Sequence, residues 1–156
     1  MDNRKLGDPG TQQFQLDKYP FYLLNRAVSR YNAIIEARLR NIGIDIPTWR
    51  VLMILGERAP RSIGEIAVKA VINLSTMMRI VQRMTRRRFV RQAVSSEDGR
   101  VREVFLTELG RQKLAAARIA TSPVYTAVIE GFSATEFDSL IDMLGRVAVN
   151  LETLTG

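Results

Sequence analysis

The chain has 156 residues, 46% of them hydrophobic, enough to bury one domain's core without a disulfide or a structural metal. It contains no cysteine and no histidine, which removes thiol chemistry, disulfides, and the commonest metal ligand and general base. Lys and Arg number 23 against 16 Asp and Glu, and the formal net charge of +7 suits a polyanionic partner.

No apolar run approaches the roughly 20 residues that span a bilayer, and the opening MDNRKLGDPGTQQ lacks the apolar centre of a signal peptide. A cytoplasmic location without a membrane partner is expected. In chain order, the first element is a long amphipathic helix in YPFYLLNRAVSRYNAIIEARLRNIG. Pro20 suits its first position, and Leu24, Val28, Tyr31, Ile35 and Leu39 recur at helical spacing until Gly43. A short buried helix restarts at Pro47, with Trp49, Leu52, Met53 and Leu55 near one face, and ends around Gly56 and Pro60.

Ser62 and Glu65 stand in capping-box register and start a helix of about two turns. Asn73 caps the next one, whose buried stripe is Met77, Ile80, Val81 and Met84. Ser75, Thr76, Arg79, Gln82, Arg83 and Arg86 are left outside. The runs FVRQAV and VREVFL then flank a D-G turn and carry the β-branched and aromatic residues that strands favour, which predicts a hairpin. Thr107 caps a further helix, and Pro123 must either kink that helix or split it. Ser133 and Glu136 form a second capping box with Phe132 and Phe137 in staple positions, and apolar residues repeat from Phe137 to Leu154.

The charge excess is local. Residues 61–113 hold 12 basic and 5 acidic side chains, while the rest of the chain holds 11 of each. Short helix, polar helix and hairpin, all on that basic stretch, make a winged helix-turn-helix. In that design the second helix of the pair offers Ser75, Thr76, Arg79 and Arg83 to base edges in the DNA major groove, with Asn73 and Arg86 beside them. The hairpin carries Arg100 and Arg102, and a guanidinium held there can meet phosphates or enter a narrow minor groove.

The segments WRVLMIL, SIGEIA, LSTMMRIVQRM and FVRQAVSSEDGRVREVFLTELG resemble the multiple antibiotic resistance regulator (MarR) family. The most specific piece is Asp98 and Arg100 in the wing, followed by Leu106, Thr107 and Gly110. The resemblance implies a mainly α fold with a small β-hairpin wing: a single MarR-type domain over 1–156, with a winged helix-turn-helix region at 44–113. It also implies a helical dimerisation region at 14–43 and 114–154, built from terminal helices that interlock in a homodimer. Arg100 then becomes the wing's minor-groove contact and Asp98 the residue that orients the wing. The family usually has Gly where this chain has Val71 and Arg88, so either the turns differ or the backbone is locally strained there.

The function implied is a dimeric regulator of transcription, most simply a repressor of a pseudo-palindromic operator in double-stranded DNA, released by a small aromatic or anionic effector. Arg26, Tyr31 and Trp49 are the ligand-binding candidates, because pockets in the family lie where the first two helices meet the long helix after the wing. The alternative is an architectural DNA-binding protein without an effector. No pair of Asp, Glu, Ser or Lys residues sits in a recognisable catalytic motif, so no enzyme activity, cofactor or metal is expected.

Overall fold

A computed structural model describes residues 2–154; the ends of the predicted domain, residue 1 and residues 155 and 156, lie outside the described residues. The chain forms two compact units, one up to Thr121 and one from Ser122 on.

The first unit opens with a one-turn helix α1 (Asn3–Leu6), whose Leu6 is buried, and reaches the long helix α2 (Pro20–Arg40) through a 3-10 turn. Pro20 takes the first position of α2, where its missing N–H costs nothing. Ile35 and Leu39 are its buried anchors, and Gly43 at φ 74 turns the chain out of it. Helix α3 (Ile46–Glu57) begins one residue before the predicted proline, because Asp45 is its cap and accepts a hydrogen bond from the Thr48 amide at 2.9 Å. The capping box at Ser62 and Glu65 is formed and starts helix α4 (Ile63–Ala70), and Asn73 caps helix α5 (Leu74–Arg86). Helix α3 packs on α4 and on α5, around a core that includes Leu52, Ile66, Met77 and Met84.

The predicted hairpin is one side of a three-stranded antiparallel sheet. Strand β2 (Val90–Val94) pairs with β3 (Arg102–Leu106), and β3 pairs on its other edge with a two-residue strand β1 (Arg61–Ser62) that lies before α4. At two residues, β1 is too short to show an alternation and has no cue in the residue pattern. The hairpin connection also differs from a tight D-G turn: it runs from Ser95 to Val101, closed by the Ser95 amide on the Val101 carbonyl and the Val101 amide on the Asp98 carbonyl, both at 2.9 Å. Gly99 is not among the positive-φ residues, so the mirror-image turn of a two-residue hairpin is not the one used here.

Helix α6 (Glu108–Val128) starts where Thr107 accepts the Gly110 amide at 3.0 Å. The same hydroxyl donates to the Arg88 carbonyl at 2.5 Å, and a Cβ on Gly110 would collide with the Phe89 carbonyl oxygen. Leu-Thr-x-x-Gly is thus a clasp joining the start of α6 to the start of β2. Pro123 splits nothing: α6 is one helix that runs through it.

The second unit holds the end of α6 and helix α7 (Ala134–Glu152), started by the predicted capping box at Ser133 and Glu136. Phe137 packs edge to face on Tyr125 at 6.4 Å between ring centroids, and Phe132 is half exposed. No residue of α7 is fully buried.

Candidate functional site

Helix α5 sorts its side chains by angle. Met77, Ile80, Val81 and Met84 face inward, while Ser75, Arg79, Gln82 and Arg86 lie on the opposite face and are exposed. The helix carries no acidic residue, and its N-terminal end adds the partial positive charge of free backbone amides. Asn73 is occupied as a cap: its carbonyl oxygen accepts the Thr76 amide at 2.8 Å and the Ser75 hydroxyl at 2.9 Å.

The two arginines of α5 expected toward base edges are in different situations. Arg79 is exposed and has no ion-pair partner among the described residues. Arg83 reaches back to α3, where its guanidinium meets Asp45 Oδ2 at 2.6 Å and Thr48 Oγ1 at 3.3 Å. It fastens the last turn of α5 to the capped start of α3. Burial pushes the Asp45 carboxyl up, but the Thr48 hydrogen bonds and the Arg83 charge outweigh it, so its pKa falls below the ordinary value.

Other cations counted in the basic stretch are also used internally. Arg61 is buried, donating to the Arg58 carbonyl at 3.0 Å and pairing with Glu57 at 2.7 Å. Arg87 donates to the Gly43 carbonyl at 2.6 Å and stacks on Phe89, and Lys113 donates to the Ile42 carbonyl at 2.7 Å. Arg102, on β3, is exposed.

At the wing tip Arg100 is 92% exposed. Asp98 accepts its backbone amide at 3.0 Å and its guanidinium at 3.2 Å, and those bonds hold the Asp98 carboxyl below its ordinary pKa. The carboxylate therefore steers the arginine side chain itself as well as the turn that carries it.

A separate cavity of about 590 Å³ is lined by Tyr31 and Asn32 of α2, Trp49, Arg50, Met53 and Ile54 of α3, and the end of α4 from Lys69 to Val71. Two of the three sequence candidates, Tyr31 and Trp49, line it; Arg26 lies outside this lining, exposed on α2. The cationic side chains present are Arg50 and Lys69, which sequence reasoning missed although Arg50 is Trp49's neighbour. The Trp49 indole N–H is buried without a hydrogen-bond partner among the described residues, and burial pushes the Tyr31 phenol's pKa up, keeping it a donor.

The sequence-family model described as the MarR family matches residues 42–101, the stretch that holds α3, α4, α5 and most of the wing. A transcriptional repressor of Pseudomonas putida, the HTH-type protein IacR, is 40% identical over 147 residues, covering 94% of this chain and 88% of the repressor. The chain belongs to the MarR family. Solved structures agree. A MarR-family transcriptional regulator from Silicibacter pomeroyi superposes with a TM-score of 0.79 at 26% identity, covering 87% of this chain and 92% of that one. CouR from Rhodococcus jostii RHA1, solved bound to p-coumaroyl-CoA, shares the fold with a TM-score of 0.80 at 21% identity over 88% and 96% of the two chains. This MarR-family chain is accordingly a transcriptional regulator and not an enzyme. Among the described residues no helix is long and apolar enough to cross a membrane, and no cluster of acidic residues could hold a metal ion.

Proposed function

We propose that the chain is a repressor that binds a pseudo-palindromic operator as a homodimer and leaves it when a small ligand occupies the cavity between α2, α3 and the end of α4. The observation that carries the DNA-binding half is the pairing of an acid-free outward face on α5 with a solvent-exposed, carboxylate-steered Arg100 on the wing. In this reading residues 44–113 are the DNA-binding region, with Ser75, Thr76, Arg79 and Arg86 over the major groove and Asn73 and Arg102 near its phosphates. Arg100, oriented by Asp98, enters the minor groove, where the potential is most negative. Arg83 contributes by holding α5 in place.

The helical segments 14–43 and 114–154 supply the dimer contact. Phe21, Leu23 and Val28 on α2 are half exposed, as are Ile141, Met143 and Leu151 on α7, and such faces ask for a partner. For the ligand, the cations Arg50 and Lys69 favour an anion, the unsatisfied Trp49 N–H favours an acceptor, and Met53 and Ile54 favour an apolar body. The repressor activity of the P. putida relative and the ligand held by CouR support the same reading.

Salt dependence of binding to duplex DNA, followed by fluorescence anisotropy, tests the DNA-binding half. A dimer contacting roughly six to ten phosphates loses about 10³ to 10⁵ in affinity between 50 and 200 mM salt, because each neutralised phosphate releases counterions. A flat response contradicts it. A screen of aromatic acids and their thioesters by thermal shift tests the ligand half. A compound that raises the melting temperature and releases DNA supports it, and binding that no compound shifts favours an effector-independent architectural protein.

A further inference from the structure

Two side chains on α5 belong neither to its core stripe nor to its polar face. Leu74 is 54% exposed and Met78 46% exposed, and they stand one helical turn apart on a single ridge. The adjacent ridge carries Ser75 and Arg79, also one turn apart. The other flank of the helix is docked, since Arg83 there is tied to Asp45 and Thr48. The Leu74 and Met78 flank is open, at the N-terminal half of the helix that a helix-turn-helix inserts into the groove.

An exposed apolar ridge normally marks a surface that something covers. Here the surroundings restrict what that can be. The ridge lies on a helix with three arginines and no acid, beside the unpaired Arg79 and the positive end of the helix dipole, so its partner must be strongly anionic and yet present apolar groups at close spacing. Duplex DNA meets both conditions in the major groove, where the 5-methyl of thymine is the one apolar group on a base edge.

We propose that Leu74 and Met78 read thymine methyl groups, so that each half-site carries thymines next to the base contacted by Arg79. This rests on the DNA-binding reading above and deepens it: Arg79 selects by hydrogen bonding, and the Leu74–Met78 ridge selects by excluding water from a methyl group. Cytosine in place of thymine offers an amino group to the same apolar ridge and leaves it without a partner, which penalises the exchange.

The test uses the full chain and a duplex selected by it from a randomised library. Each thymine is replaced singly by deoxyuridine, which removes the methyl and keeps the O4 acceptor, the pairing and the charge. At one or two positions in each half-site the wild type should lose about fourfold in affinity, the effect of taking one methyl-sized group out of contact. Leu74→Ala should abolish that sensitivity at one position and Met78→Ala at another, each leaving the dependence on Arg79's base unchanged. Because both side chains are half exposed, melting temperatures of the variants should match the wild type, separating a lost contact from lost folding. If the chain binds its selected duplex tightly and no deoxyuridine substitution matters, or if both variants keep the wild-type sensitivity, the thymine assignment is wrong while DNA binding stands. If the chain binds no duplex, both fall together.

Discussion

Helices α5 and α7 each repeat apolar residues at helical spacing under a capped start, and the two repeats end up in different surroundings. In α5 the stripe of Met77, Ile80, Val81 and Met84 is buried against α3, α4 and β2, whereas in α7 no residue is fully buried and Ile141, Met143, Val149 and Leu151 are about half exposed. An amphipathic pattern records that a helix needs an apolar neighbour, and it does not record which chain supplies one. For α5 the neighbour is in the same unit. For α7 we infer that it is a second copy.

The largest effect should come from testing that inference directly. Leu144→Asp places a charge on the α7 stripe; if two copies meet there, the dimer dissociation constant should rise by more than about a hundredfold while circular dichroism shows the helices intact. Met84→Ala in α5 should do the reverse, lowering folding stability by about 2–5 kcal/mol and leaving the folded fraction dimeric. Sedimentation equilibrium with urea unfolding separates the two outcomes. A wild type that is monomeric at micromolar concentration breaks the comparison, because α7 would then be an apolar helix without a partner of its own kind.

Much of this contrast could be read in the sequence, and the parts that could not share a physical cause. Caps, stripes and the wing follow from residues a few positions apart: Ser62 with Glu65, Asn73 with Thr76, Ser133 with Glu136. The sequence missed what depends on distant chain. Arg83 and Arg79 look alike along α5, and only the arrival of Asp45 from 38 residues away makes one a fastener and leaves the other free. Arg61 belongs to the basic stretch by count, yet it is buried on Glu57 within a strand too short to predict. The cavity is similar: the family resemblance points to Tyr31 and Trp49 on the first two helices, while Lys69 reaches the lining from the end of α4, which spacing alone does not foretell. The missing glycines were a usable signal. Val71 and Arg88 take φ values of 55° and 59°, so this chain keeps the left-handed turns and carries the strain.

Arg79 and Arg83 give the next effect in size. Arg79→Ala should weaken operator binding by roughly 1–3 kcal/mol and relax preference at one position per half-site, without moving the melting temperature. Arg83→Ala should remove a half-exposed pair with Asp45, costing up to about 1 kcal/mol of stability, and weaken all operators by a similar factor because α5 loses its fastening. Arg100→Ala should weaken binding most where the flanks are A·T-rich. Binding selections read out per position distinguish the three patterns. An Arg83→Ala protein that changes preference at a single base would show that the guanidinium leaves Asp45 to read DNA.

Acid should loosen the same fastening. The Asp45 carboxyl is held below its ordinary pKa in the folded chain, so it binds fewer protons there than when unfolded. That contribution is present above the unfolded value and is lost as pH falls through the folded one, a window below about pH 4. Asp45→Asn should therefore flatten the acid limb of the stability curve relative to wild type, as measured by urea midpoints between pH 6 and pH 3. An unchanged acid limb would mean that the carboxylates capping α4 and α7, Glu65 and Glu136, which are also held low by hydrogen bonds from Ser62 and Ser133, account for it instead.

The smallest effect concerns the turns that lead into the two helices. Before α5 the chain passes through the left-handed region at Val71, which is 89% exposed, and before α7 it does so at Gly131, with φ 85°. A β-branched residue meets its own carbonyl there at a cost of roughly 1–2 kcal/mol, and glycine does not. Glycine in turn gives the unfolded chain more freedom, which offsets about 0.5–1 kcal/mol of that relief. Val71→Gly should therefore raise stability by about 0.5–1 kcal/mol. No heavy atom lies within 4 Å of a Cβ built on Gly131, so Gly131→Val would meet no neighbour and should lose stability through the backbone alone, by a similar amount. Opposite signs of similar size would show that the two turns impose the same backbone demand and that only the residue differs. If Val71→Gly instead destabilises the protein, the Val71 side chain must make a contact worth more than its strain, and the turn before α5 is held by packing where the turn before α7 is held by conformation.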